Sequence, residues 1–326
     1  MDNKRNESLD ILKGIGIVLM ILGHCALPFD LRKLIFVFHM PLFFIISGFL
    51  YKDRDVTDIY KRRIVKILKP YLFTGFVIWI VKAIQGNYYW GLSILLGNGS
   101  RPVFNSTELS DYKIGPLWYL LAYCWALIFI HYLMKVNSDR KKVIIAVVAF
   151  EVSIVFSYII GLLPLDIIPA IPAALFMLVG YLYKTSSIHL EIKPLYFHSI
   201  GIVLVILCYL FGAMSMASHS YRLNVIQILA AIYVTYVLYR FVIKDVVIKK
   251  LSGGGISLIG KYSLAIMCFH ALDWNLNLTN DISNAICLDD DLRFIPSFLF
   301  KCIFAFSITL IAYYTPYLNR IYSLKK

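Results

Sequence analysis

Three ionisable residues near the N-terminus have the types and the spacing of a functional site. Asp10, Lys13 and His24 lie three, eleven and fourteen residues apart. At 3.6 residues per turn, these separations return to nearly the same face of a helix. An ionisable side chain that faces hydrocarbon costs roughly 2.5 kcal/mol or more. The stripe therefore has to face protein or water, and intramembrane charges of this kind are candidates for function.

Two further histidines, His39 and His270, are expected at the same depth as His24. Each of the three lies near the outer end of its own apolar segment. A single histidine there is more typical of a hydrogen-bonded residue inside a helix bundle. Three at one depth, above the pair formed by Asp10 and Lys13, favour a polar cavity. Histidine in such a cavity can act as a general base, because its ordinary pKa is near neutral.

The composition indicates which elements must hold these residues. The 326 residues are 60% hydrophobic and only 16% charged, whereas soluble domains are about a quarter charged. The longest apolar runs approach the ~20 residues that a helix needs to cross a bilayer. We predict an all-α polytopic integral membrane bundle of about ten transmembrane helices, in a single domain over residues 1–326. The expected spans lie near residues 9–28, 34–51, 71–85, 116–134, 143–163, 165–183, 195–217, 223–243, 255–273 and 295–316.

The net charge of +13 is mostly a topology signal and not a sign of nucleic-acid binding. Most Lys and Arg residues fall in the segments on one side of the predicted spans, and this asymmetry places both termini in the cytoplasm. The loops on the opposite side of the membrane hold only Arg32, Lys33, Arg101, Lys113, Arg222 and Arg293.

The six cysteines have no CxxC spacing, so no metal site is expected.

A basic cytoplasmic segment, residues 52–69, has two interpretations. Arg62, Lys66 and Lys69 fall on one helical stripe. The segment is either an amphipathic helix on anionic lipid, worth about 1 kcal/mol per basic residue, or a phosphate-binding platform for a cytosolic anionic donor. The residues alone favour the lipid interpretation, and both stay open.

Short motifs follow one another along nearly the whole chain. They are Lys13-x10-His24, FHMPLFFIISG at 38–48, RRIVKILKPY at 62–71, GPLWYL at 115–120, and IGKYSL at 259–264 with His270 after it. In this order they resemble the acyltransferase 3 family of integral membrane acyltransferases, and the fucose acetylase-like subgroup in particular. Many members carry arginine where this chain has Lys13; lysine keeps the charge but lacks the bidentate fork.

The resemblance implies an O-acyltransferase in the bacterial inner membrane. It would move an acyl group, most often acetyl, from cytosolic acetyl-CoA to a hydroxyl of an exopolysaccharide or a lipid-linked precursor in the cell envelope. Some relatives append an extracellular esterase-like domain that is not expected here. The bundle would therefore transfer the group itself, or pass it to other polysaccharide-assembly proteins.

The resemblance also implies roles for single residues. His24 is the expected general base, His39 the residue that orients the acceptor or stabilises the oxyanion, and Asp10 the charge-balancing member of this catalytic set. Direct transfer and a covalent acyl-enzyme both stay open. The residues expected to bind the donor are Lys13, Arg62, Arg63, Lys66 and Lys69. The residues expected to bind the acceptor are Ser47, Trp118, Tyr119 and His270.

A different class of protein is the alternative. A secondary transporter or a lipid-linked glycan flippase would also be a helix bundle with buried charges. Such a protein should show an internal repeat, and no motif from the first half of this chain recurs in the second. The sequence therefore favours an enzyme.

Overall fold

The computed structural model describes residues 6–185, 193–212, 214–244, 254–286 and 292–325, and these are almost entirely helical. A π-helical turn, Tyr60–Ile64, joins the helices Val56–Ile59 and Val65–Ile84, and strands β1 (Met214–Ser215) and β2 (Ser220–Tyr221) form a small antiparallel hairpin. The helices are α1 (Glu7–Gly23), α2 (Phe29–Phe49), α3 (Val56–Ile59), α4 (Val65–Ile84), α5 (Gly91–Leu96), α6 (Trp118–Met134), α7 (Asp139–Ile159), α8 (Ala170–Thr185), α9 (Pro194–Phe211), α10 (Val225–Lys244), α11 (Gly255–Lys261), α12 (Ser263–Leu276), α13 (Leu278–Ile286), α14 (Phe294–Tyr314) and α15 (Pro316–Tyr322).

The helices match the predicted spans. Within the described residues, eight helical stretches are long and apolar enough to cross a membrane, and α11 with α12 forms a ninth that is bent by 77°. The 17-residue α1 is the shorter counterpart of the first predicted span. Every predicted span therefore has a helix, and the prediction of an all-α polytopic membrane bundle is confirmed.

Two boundaries differ from the prediction. Residues 52–69 do not form a separate surface helix, because α3, the π-helical turn and α4 run on as one apolar stretch, Val56–Ile84. Its buried Ile59 and Ile64 pack into the bundle. The predicted span over 195–217 is too long at its C-terminal end, since α9 ends at Phe211 and the hairpin follows. A contact of 3.0 Å between His219 Nε2 and Ser153 Oγ anchors that hairpin to α7.

Glycines set the two closest helix crossings. A Cβ on Gly14 of α1 would collide with α11, and one on Gly260 of α11 would collide with the Asp10 carbonyl. Gly48 of α2 and Gly180 of α8 meet the backbone of the opposite helix in the same way. Small residues let helices approach closely in lipid, where the hydrophobic effect does not drive helices together. These crossings hold α1 and α2 at the centre of the bundle.

The burial of the helices separates inner from outer elements. About 67% of the apolar stretch in α8 is buried, against 11% in α9 and 22% in α14. The exposed residues of α9 and α14 are large and apolar, as expected for surfaces that face lipid. Most of the buried apolar residues of the core come from α1, α2, α6, α8 and α12. The predicted site residues are concentrated on these inner helices.

Candidate active site

Three histidines from three inner helices lie side by side. The ring centroids of His24, at the end of α1, and His270, on α12, are 5.1 Å apart. The ring of Phe36 lies 5.8 Å from that of His24 and 4.9 Å from that of His39, and both Phe36 and His39 belong to α2. The structure thus brings together the three histidines that the sequence placed at one depth.

Backbone hydrogen bonds determine which nitrogen of each ring is basic. His24 Nδ1 lies 2.7 Å from the Met20 carbonyl oxygen, and His39 Nδ1 lies 2.9 Å from that of Ile35. A carbonyl oxygen only accepts, so each Nδ1 carries the proton and each neutral ring keeps its lone pair on Nε2. His270 is fully buried, and within the described part of the chain neither of its ring nitrogens has a hydrogen-bond partner. Nε2 of His24 and Nε2 of His39 are therefore free to accept a hydrogen bond from an incoming group.

His24 and His39 line a small cavity, which we call the histidine cavity. Its volume is about 60 Å³, and Trp118 and Met267 are also in its wall. The first strand of the hairpin and the start of its turn, residues 214–217, form another part of the wall. Trp118 was predicted to bind the acceptor and lines this cavity, whereas His270, also predicted to bind the acceptor, does not.

A larger cavity, which we call the basic cavity, lies at the other end of α1. Its volume is about 410 Å³, and among the described residues that line it none is acidic. Such a concentration of one charge in a low-dielectric wall attracts anions strongly. The predicted acceptor residues Ser47 and Tyr119 line this cavity instead of the histidine cavity. Its cationic side chains are Lys13, Arg62, Arg63, Lys66 and Lys261.

The neighbours of these cations define their roles. Lys13 Nζ lies 3.5 Å from Oδ1 of the buried Asp10. Asp10 is fourteen residues from His24, or about 21 Å along a helix. It therefore balances the charge of Lys13 and does not contact the histidines. The guanidinium of Arg63 lies 5.8 Å from the ring centroid of the buried Tyr51.

Two basic residues differ from the sequence prediction. Lys69 is exposed and does not line the basic cavity. It is three residues after Lys66, which turns it by about 60° around the helix. Lys261 was not predicted, although it lies within the IGKYSL motif. The 77° bend between α11 and α12 brings Lys261 and Ser263 into the wall of the cavity.

The GPLWYL motif positions Trp118. Gly115 has a φ of +56°, a value that favours glycine, and a Cβ there would also collide with the ring of Trp274. Asn275 Nδ2 donates to the Ile114 carbonyl oxygen at 3.2 Å. These contacts hold the start of α6 against α12, so that Trp118 enters the histidine cavity.

A buried ion pair beside the histidines was not predicted from the sequence. Lys301 Nζ on α14 lies 3.0 Å from Asp273 Oδ2 on α12, and the two side chains are 0% and 1% exposed. Thr279 donates to the carboxylate from its backbone nitrogen and its hydroxyl, both at 2.9 Å. Asp273 follows His270 by three residues on α12, about one helical turn, so the ion pair lies next to the histidines. A lysine in the middle of an apolar span is the signal that could have revealed this pair.

No metal-ligand cluster is found in the part of the chain that the structure describes: His, Cys, Asp and Glu side chains do not form a group of three or more that could hold a metal ion.

Comparisons with known proteins identify the family. The family model described as "Acyltransferase domain" matches residues 6–314. The nodulation protein NolL of Mesorhizobium japonicum is 29% identical over 150 residues, which are 41% of this chain and 38% of that protein. NolL of Sinorhizobium fredii is 30% identical over 135 residues, or 37% and 34% of the two chains. The chain thus spans little more than a third of these relatives, and no solved structure matches it. The resemblance drawn from the motifs is confirmed, and the chain belongs to the acyltransferase 3 family.

Proposed function

We propose that this protein is a membrane O-acyltransferase that moves an acetyl group from cytosolic acetyl-CoA to a hydroxyl of a cell-surface or lipid-linked carbohydrate. The observation that supports the proposal is that a large cavity lined by basic residues and a small cavity lined by histidines adjoin each other inside one helix bundle. A basic cavity of about 410 Å³ adjoins a small cavity that holds two histidines. Family membership supports acyl transfer as the reaction.

The basic cavity suits the donor. Coenzyme A carries several phosphate charges at one end and a long, narrow thioester arm at the other. Arginine can bind phosphate with two parallel hydrogen bonds, and lysine binds it as a point charge. Arg62, Arg63 and Lys66 would hold the phosphates, while Lys13 and Lys261 would line the path of the arm.

The histidine cavity suits the transfer step. His24 Nε2 would take the proton from the acceptor hydroxyl as its oxygen attacks the carbonyl carbon of the thioester. The carbon–sulfur bond then breaks, coenzyme A leaves as a thiolate, and the proton on His24 Nε2 is returned to that thiolate. His39 Nε2, which lines the same cavity, would orient the acceptor or stabilise the oxyanion.

The direction of α1 gives the proposed reaction a direction across the membrane. Lys13 near its start lines the basic cavity, and His24 at its end lines the histidine cavity. If the protein lies in the bacterial cell membrane with both termini on the cytoplasmic side, the donor would enter from the cytoplasm. The acceptor would meet it in the outer half of the bilayer.

The proposal competes with transport or flipping of a lipid-linked glycan. Membership in an acyltransferase family favours the enzyme. Transport assays on protein reconstituted without an acyl donor distinguish the two, because an acyltransferase should move no substrate under those conditions.

Mass spectrometry of surface polysaccharide tests the proposal. Cells with the protein should carry an extra acetyl mass per repeat unit, and cells without it or with His24→Ala should not. His198→Ala is the matched control, since His198 is an exposed residue of α9 that lines neither cavity. Equal acetylation in cells with and without the protein would refute the proposed function.

A further inference from the structure

Methionine is concentrated around the histidine cavity. The chain has eight methionines, and five of them line this one cavity of about 60 Å³. All five are buried. They come from α1, α2, α12 and the hairpin, so the grouping arises from the fold and not from one sequence segment. These residues are Met20, Met40, Met214, Met216 and Met267.

Three of these methionines separate the two cavities. Met20, Met40 and Met267 line both the histidine cavity and the basic cavity, and among the described residues they are the ones that the two linings share. We call them the methionine throat. An acyl group carried from the basic cavity towards His24 would pass these side chains.

The side chain of methionine suits a throat that admits some groups and excludes others. It is unbranched and apolar and has three rotatable bonds, so it can move aside for a slender apolar group. It offers no strong hydrogen bond to a charge, and burying a carboxylate without a partner costs several kcal/mol. An acetyl group is uncharged and has a single methyl group. A succinyl group is longer and carries a carboxylate.

The small volume of the histidine cavity also limits the size of the acyl group that can reach His24. One water molecule needs about 10–15 Å³ of cavity volume measured with a water-sized probe. The histidine cavity, at about 60 Å³, therefore has room for only a few non-hydrogen atoms beside the histidines. Each additional methylene in the acyl chain has to displace a wall that is already packed with Met214 and Met216.

We propose that the methionine throat sets the acyl specificity of the enzyme, admitting acetyl and rejecting longer or charged acyl groups. This inference rests on the proposed function, because it assumes that an acyl thioester travels from the basic cavity to His24. It names Met20, Met40 and Met267 as specificity-determining residues of that reaction.

The test compares donors in throat variants. Purified protein is assayed with acetyl-, propionyl-, butyryl- and succinyl-CoA, with polysaccharide from cells that lack the protein as the acceptor. Met20→Ala, Met40→Ala and Met267→Ala are each expected to raise kcat/KM for butyryl-CoA relative to acetyl-CoA by about tenfold or more, the usual effect of one methylene in an apolar pocket. Met→Leu at the same positions should change the ratio far less, because leucine has a similar volume.

Binding provides a readout that does not depend on turnover. Ketone analogues of acetyl- and butyryl-CoA, in which a methylene replaces the thioester sulfur, cannot transfer the acyl group. The same Met→Ala variants should bind the butyryl analogue more tightly relative to the acetyl analogue. Met177→Ala is the control, since Met177 is equally buried but lines neither cavity.

The possible outcomes separate this inference from the proposed function. Donor ratios that stay unchanged in all three Met→Ala variants, while the parent protein transfers acetyl, would overturn the specificity role alone. No transfer from any donor by the parent protein would refute the proposed function, and the specificity role with it. Where alanine prevents folding at one position, valine at that position carries the test.

Discussion

Loss of Lys301 should destabilise the bundle strongly. In Lys301→Met, the carboxylate of Asp273 would remain buried with only the two hydrogen bonds from Thr279. Removing one partner of a buried pair typically costs about 3–5 kcal/mol. Converting Asp273 to Asn in the same chain removes the uncompensated charge while Thr279 can still donate to the amide oxygen. We therefore expect the double variant to be more stable than Lys301→Met by about 1 kcal/mol or more.

Unfolding in detergent titrations measures these free energies. The matched control is Arg62→Met, because Arg62 Nε and Asp58 Oδ1 are 3.4 Å apart but the two side chains are 65% and 44% exposed. An exposed pair is worth about 0–1 kcal/mol, so this variant should stay close to the parent. Equal losses in Lys301→Met and Arg62→Met would refute the argument from burial. A double variant less stable than Lys301→Met would also refute it.

Three further predictions concern the donor, the hairpin and the topology. Replacing Arg62 and Arg63 with Gln should raise KM for acetyl-CoA several-fold with little change in kcat, because phosphate contacts far from the reacting atoms give uniform binding. Burial lowers the pKa of His219 from 6.5 to about 4. Between these two pKa values the unfolded chain binds a proton at His219 that the folded chain does not bind. The free energy of unfolding should therefore fall by about 2 kcal/mol from about pH 7 to about pH 5. In intact cells, a cysteine at Glu108 should react with a membrane-impermeant maleimide, whereas one at Asn137 should react only after lysis.

Each of these predictions has a control and a contradicting result. Lys69→Gln is the control for the arginines, since Lys69 is basic and exposed but outside the basic cavity; a fall in kcat at unchanged KM would contradict donor binding by the arginines. His219→Gln should flatten the loss of stability at low pH, and an equal loss in this variant would rule out His219 as its source. Labelling at Asn137 but not at Glu108 in intact cells would invert the topology.

Much of the architecture could be predicted from the sequence, because a bilayer allows few solutions. Long apolar runs indicated the helices, and each predicted span has one. Helical spacing and alternating direction also placed His24, His39 and His270 at one depth. The ring contact between His24 and His270 then follows from the packing of α1 against α12.

The parts that escaped prediction depend on contacts between distant segments. The pairing of Lys301 with Asp273 requires the packing of α12 against α14. The assignment of Ser47 and Tyr119 to the basic cavity depends on how α2 and α6 are rotated in the bundle. The hairpin that closes the histidine cavity was hidden in an apolar run that also suited a longer helix. Periodicity describes one element at a time, so none of these arrangements could be derived from it.

The pH dependence of turnover in His24 variants tests the central claim most directly. Purified parent protein, His24→Ala and the control His198→Ala are compared with acetyl-CoA and polysaccharide acceptor. If His24 Nε2 is the general base, His24→Ala should lose about 10²–10⁴ in kcat and also lose the acidic limb of the rate profile. The control should keep both the rate and the limb. A His24→Ala enzyme that retains near-normal kcat with an unchanged acidic limb would contradict the account.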